Sequence, residues 1–274
     1  FDAKVVYQRV FNTIKLYAKQ RRLITLVTDQ VYEKEKNNRI MVSILSQIVE
    51  FRNGESGLHV EHINKLSGML LERLVQKTDK HHLTWTDQYL ITVASALHDI
   101  GKIGIDEKIL NKPGKLTPEE FEVMKRHPLY SFELLGDDIS EDVRYAVRWH
   151  HEKLDGKGYP DGLKAESISY FARITTISDI YDAMLSARSY KKEKIPFDVL
   201  QWFVTEGSKG IDQNLLNIFI KNMVKVYRQQ QVIMSDGREG CVEYIPLNDM
   251  DHPIVSVGEE VRQVDEDWYC VHMV

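Results

Sequence analysis

The sequence predicts an all-α body with a long N-terminal helix and a small C-terminal β appendage. Three observations carry that reading. No Pro or Gly occurs between Phe1 and Phe51. Apolar residues then recur at helical spacing in successive stretches up to about Tyr227. After Val232 the texture changes to short apolar runs around Gly-bearing turns.

The first fifty residues form a helix with i, i+4 stripes at Ile40, Ile44, Ile48 and at Met41, Leu45, Val49. Two readings fit the charge-rich stretch before them: a solvated helix lying on the body, or a parallel two-helix connector to an upstream domain. The connector is preferred, since the chain opens at Phe1 without Met and reads as a piece of a longer polypeptide. Asn53-Gly54 breaks the pattern, which resumes from Glu55 to about Lys77. A further helix is expected over 86–100, with Thr86 as its cap. Thr117-Pro118-Glu119-Glu120 signals a helix start, with Thr as cap and Glu three residues on. Helices follow over 118–127, 129–136, 140–152, 168–186, 197–207 and 213–230, and 153–166 is a Gly- and Asp-rich loop. Two strands around Asp236-Gly237 open the appendage, and Pro253–Val257 and Trp268–His272 offer more. The expected domains are therefore 1–50, 51–230 and 231–274.

Composition narrows the function classes. Of 274 residues, 43% are apolar and 28% charged, which excludes a disordered chain or a fibre. With 36 Lys and Arg against 41 Asp and Glu, the net charge of -5 disfavours a binder of nucleic-acid polymers. The only cysteines, Cys241 and Cys270, exclude a cysteine-zinc module and suit a reducing cytoplasm. No apolar run is long enough to span a bilayer, and no signal peptide is present.

The chemistry lies in histidines and carboxylates. His98-Asp99 closes the apolar run Leu90 to Leu97, and His150-His151 closes another helix. Burying such pairs is costly unless a cation compensates. Glu55 and His59 share a helical face, His127 precedes Pro128, and Asp179 and Asp182 interrupt an apolar helix. Any one of these is usually a hydrogen-bonded core group or a solvated pair. Together they point to divalent ions bound through nitrogen and oxygen, and to metal-assisted attack on phosphorus.

At these residues the sequence resembles the HD-GYP family, bacterial metal-dependent phosphodiesterases of the HD superfamily that act on cyclic di-GMP. The blocks are His98-Asp99-Ile100-Gly101-Lys102, His127-Pro128, His150-His151-Glu152, Gly158-Tyr159-Pro160 and Asp179-Ile180-Tyr181-Asp182. The resemblance spans roughly 41–227. It implies an HD helical bundle and metal ligands at Glu55, His59, His98, Asp99, His127, His150, His151 and Asp179, with Asp99 bridging. Two or three divalent ions follow, iron or manganese by family habit. Asp99 and Lys102 would be catalytic, and Lys102, Tyr159, Arg188 and Lys191 would hold the substrate.

The implied reaction opens cyclic di-GMP to linear pGpG, with GMP as a further product, through a metal-bridged hydroxide. Two alternatives stay open: another cyclic dinucleotide such as 3′,3′-cGAMP, or a non-catalytic sensing adaptor. Three departures from the family pattern concern loop geometry: Asp106 and Ser189 where Pro is common, and His62 where Arg is common. Residues 1–17 resemble the last helix of a receiver domain entering its output. That implies a response regulator, with a homodimer through the N-terminal helix.

Overall fold

The computed structural model describes residues 2–53, 58–77, 83–186 and 194–273. Glu55, Arg188 and Lys191 lie outside the described residues. The chain divides into two compact units, residues 1–44 and 45–274.

In the first unit, helix α1 (Ala3–Arg52) begins its uninterrupted course. Apolar side chains along it, among them Val10, Ile14, Leu23 and Ile24, are exposed.

The second unit starts with the last turns of α1 and continues as helices α2 (Leu58–Lys77), α3 (Trp85–Leu97), α4 (Glu107–Leu110) and α5 (Pro118–Met124). Then come α6 (His127–Leu135), α7 (Glu141–Trp149), α8 (Tyr170–Leu185), α9 (Pro196–Thr205) and α10 (Gln213–Tyr227). The cap of α3 is Thr84, not Thr86: Thr84 and Asp87 exchange side-chain and backbone bonds in a capping box. Thr117 and Glu120 make the same box at α5, as the sequence implied. His127 opens α6 rather than closing the helix before it, because Pro128 needs no N–H in a first turn. After α3 the chain tightens into a 3₁₀ helix, Ile100–Gly104.

The five strands are β1 (Gln231–Met234), β2 (Glu239–Tyr244), β3 (Ile254–Val257), β4 (Glu260–Gln263) and β5 (Cys270–Met273). They form one antiparallel sheet in the order β4-β3-β2-β1-β5. The alternating pattern is visible in β1 and β3, where Val232, Met234, Val255 and Val257 turn inward. These side chains join Leu70, Ile91, Ile177, Phe203 and Phe219 in a single hydrophobic cluster. Helices and sheet of the second unit thus share one core, and the site lies where α2, α3, α6, α7 and α8 converge.

Candidate metal centre

Polar contacts between helices set the floor of the site. Ser67 on α2, Ser95 on α3 and Ser178 on α8 are buried and linked by two 3.0 Å hydroxyl bonds. Thr176 donates to the His150 carbonyl at 2.6 Å, tying α8 to α7. Ser131 on α6 donates to the His98 carbonyl at 3.2 Å and accepts from the Gly101 N–H at 2.7 Å.

Three buried histidines are oriented by the same device. Nδ1 of His98, His127 and His150 meets the carbonyl three residues back, Ser95, Met124 and Val147, at 2.8, 2.8 and 2.6 Å. A carbonyl only accepts, so each Nδ1 carries a proton and each Nε2 is the ring atom left to face the site. His59 reaches the same state differently: its Nδ1 donates to Asp182 Oδ2 at 2.6 Å. The other oxygen of Asp182 accepts from His62 Nδ1 at 2.9 Å. Asp182 is thus the orienting carboxylate of this corner, a role that its place in an apolar helix hinted at without defining.

These side chains form two adjoining groups. Asp99, His127, His150 and His151 bring one ligand atom each within 4.8 Å of one another, and so do His59, His98 and Asp179. Asp99 lies between the two groups. Its Oδ1 is 3.1 Å from His127 Nε2, and its Oδ2 is 3.2 Å from His98 Nε2 and 2.6 Å from Lys102 Nζ. Asp179 Oδ1 is 3.6 Å from His59 Nε2 and 3.8 Å from His98 Nε2. Seven of the eight sequence-expected ligands therefore meet in one place, and the eighth, Glu55, is outside the described residues.

The donor set fits divalent cations. Nε2 of His127 and His150 stand 3.4 Å apart, two lone pairs turned toward each other. His98 Nε2 and Asp99 Oδ1 are buried with no hydrogen-bond partner. Groups arranged this way are under-satisfied unless a Lewis acid completes them. The electrostatics agree. Burial and the neighbouring imidazoles push His150 and His151 well below the ordinary histidine range, keeping both neutral. At His98 burial opposes charging, but Asp99 and Asp179 raise its pKa to about 9. Burial alone would lift Asp99, yet the Lys102 and His98 charges hold it well below the usual carboxylate range. The carboxylates call for positive charge in this space. No cysteine contributes, and imidazole with carboxylate suits iron, manganese or zinc.

The Gly-Tyr-Pro loop closes one side. Glu152, buried beside His151, takes the N–H groups of Asp161, Gly162 and Leu163 at 2.7, 3.0 and 3.0 Å. Arg148 grips Asp161 with two 2.7 Å bonds. A Cβ on Gly158 would run into the backbone of Glu152 and Lys153, so only glycine fits there. Tyr159 is thereby laid on His151, ring centroids 4.7 Å apart. Burial raises its pKa, so the phenol keeps its proton. Glu152 stands in the His150-His151-Glu152 block, but motif reading assigned it no role, although its place directly after the histidine doublet was a usable signal.

Fold and site together define a helical protein with a histidine-carboxylate centre for divalent cations. The HD domain family model matches residues 43–215. The chain belongs to the HD domain family, as the HD-GYP resemblance implied. It is 40% identical over 198 residues to "Cyclic di-GMP phosphodiesterase response regulator RpfG" of Xanthomonas campestris, covering 71% of this chain and 50% of that protein. It is 30% identical over 190 residues to "3′3′-cGAMP-specific phosphodiesterase 2" of Vibrio cholerae, covering 68% and 35%. A crystal structure of a cyclic GMP-AMP specific phosphodiesterase from V. cholerae shares the fold. Its TM-score is 0.51 at 16% identity, over 68% of this chain and 48% of that one. The chain thus spans half or less of the length of these relatives. Among the described residues no helix is long and apolar enough to cross a membrane.

Proposed function

We propose that the chain hydrolyses cyclic di-GMP, adding water across one phosphodiester to give linear pGpG, with GMP as a further product. The observation that carries this reading is Asp99, whose two oxygens face the two histidine groups while Lys102 stands beside it. A relative at 40% identity that bears the name of a cyclic di-GMP phosphodiesterase supports it.

Divalent ions at such a centre supply Lewis acidity and lower the pKa of water, which is what attack on phosphorus at neutral pH requires. His59, His98, His127, His150, His151, Asp99 and Asp179 are assigned to hold them, with Glu55 completing the set. Asp99 serves both groups at once. Lys102 contributes a fixed ammonium for the charge that grows on the phosphoryl oxygens. Tyr159, kept protonated, offers a hydroxyl to a phosphate or a ring face to a base. Arg188 and Lys191 are assigned to grip the diester, a fork and a point charge respectively.

The metal is assigned as iron or manganese, with three ions where Glu55 and His59 both bind. Glu55→Ala then lowers the ion count by one in elemental analysis. A cytoplasmic response regulator, with a receiver domain upstream and a homodimer through α1, completes the proposal.

The test is turnover after oxygen-free purification and loading with Fe(II) or Mn(II), with products separated by chromatography. Cyclic di-GMP, 3′,3′-cGAMP and cyclic di-AMP compete in one reaction. Opening of cyclic di-GMP is expected. Opening of the mixed-base ring alone would move the substrate to the second reading, which the 30% identical V. cholerae relative favours. Tight binding without turnover would make the chain a sensing adaptor.

A further inference from the structure

The segment that carries Lys102 is held from two sides, and one of the holders lies outside every motif. On one side it rests on α6. The Gly101 N–H donates to Ser131 Oγ at 2.7 Å, and a Cβ on Gly101 would run into the His127 carbonyl and Ser131. On the other side stands Arg52, the last residue of α1. Its guanidinium donates to the carbonyls of Ile103, Ile105 and Lys102, the last two at 3.1 and 3.4 Å. Asn111 returns a 2.9 Å bond from its side chain to the Arg52 carbonyl. Nearby, Ser46 Oγ donates to the Ala96 carbonyl at 2.6 Å.

Local chemistry explains why an arginine is needed there. The 3₁₀ helix Ile100–Gly104 is only five residues long; the Lys102 carbonyl takes the Ile105 N–H at 3.0 Å, and the chain then turns extended at Ile105. A cation beside the end of such a turn can take the carbonyls that point out of it. A guanidinium spreads its donors over a planar fork that spans several of them, whereas an ammonium's three radiate from one nitrogen. Lys102 projects from the backbone so held, only 13% exposed, with Nζ 2.6 Å from Asp99 Oδ2.

We propose that Arg52 is a positioning residue that acts through Lys102: by holding the carbonyls of Lys102, Ile103 and Ile105 it sets where the Lys102 ammonium stands. The claim rests on the phosphodiesterase reading for its effect on turnover, but not for its effect on Lys102. The clamp also makes the end of α1 part of the site's geometry.

The experiment compares wild type, Arg52→Ala and Arg52→Lys, each with and without Lys102→Ala, in the metal-loaded full chain. It reads kcat and KM on cyclic di-GMP, metal content, and reductive methylation of Lys102 followed by peptide mass spectrometry. Arg52→Ala is expected to lower kcat about tenfold, the size of a lost charged hydrogen bond, with KM within about twofold. Metal content stays unchanged, methylation of Lys102 speeds up severalfold, and Arg52→Lys recovers part of both effects. In the Lys102→Ala background the same substitution adds little, since residues acting as one unit are not additive. Equal losses in both backgrounds, or unaltered Lys102 methylation, would overturn the proposal. If the wild type opens no cyclic dinucleotide, the functional reading fails while the methylation rates still decide the positioning. Should Arg52→Ala not fold, Arg52→Lys, which keeps the charge on one nitrogen without the planar fork, carries the comparison.

Discussion

Asp182 Oδ2 accepts a 2.6 Å hydrogen bond from Nδ1 of His59, and the pair is buried. That bond fixes the tautomer that leaves His59 Nε2 free to face Asp179. Asp182→Asn replaces a pure acceptor with a group that can present N–H to the imidazole. It is expected to lower metal affinity by roughly 10- to 100-fold, as loss of an orienting carboxylate does. Titration of the metal-free protein with Mn(II), read by calorimetry, checks this. Affinity equal to wild type would remove Asp182 from the ligand geometry.

Asp99 and Lys102 are neighbours with separable roles. Asp99→Ala takes away the carboxylate between the two histidine groups, so both bound metal and turnover are expected to disappear. Lys102→Ala leaves every assigned ligand in place. Turnover should then fall by about tenfold or more while metal content stays near normal. Elemental analysis beside the rate measurement separates the two, and equal metal loss in both would contradict the assignment.

Glu152 is a test of the loop. Its carboxylate holds three consecutive N–H groups, and Glu152→Ala leaves them without an acceptor. A loss of about 3 kcal/mol is expected, comparable to one or two hydrogen bonds to a charged group. Thermal unfolding reads the loss, and limited proteolysis should find new cleavage between Lys153 and Leu163.

Two glycines should respond with opposite signs. Gly101 has no room for a methyl against His127 and Ser131, so Gly101→Ala is expected to destabilise by about 1–3 kcal/mol. Gly68 sits within α2 with open space at its Cβ position. Gly68→Ala is expected to stabilise by roughly 0.5–1 kcal/mol through helix propensity alone. Denaturant unfolding of the two variants measures both.

Much of the candidate ligand set was legible because metal-binding chemistry needs rare residue types, several of them at element ends. Histidine-containing doublets at helix ends, His98-Asp99 and His150-His151, are visible without coordinates. The helix starts at Thr117 and the strands around Gly237 were legible for similar reasons, being written in caps and turns. Other features were not. Thr84 rather than Thr86 caps α3 because the reciprocal partner is Asp87, and both threonines read alike in sequence. Glu152 and Asp182 were seen as letters in motifs, but the N–H groups that Glu152 holds lie nine or more residues on, and the histidines that Asp182 orients sit on another helix.

By itself the sequence determined which groups are available and on which local elements they sit, since periodicity, capping and turn chemistry act within a few residues. Tertiary structure alone decided that α2, α3, α6, α7 and α8 bring their imidazoles and carboxylates to one point. It alone turned the His59 Nδ1 onto Asp182 and set Arg52 against the carbonyls behind Lys102. Such pairings join residues 50 to 123 positions apart, and only the packing of a shared core determines which of them meet.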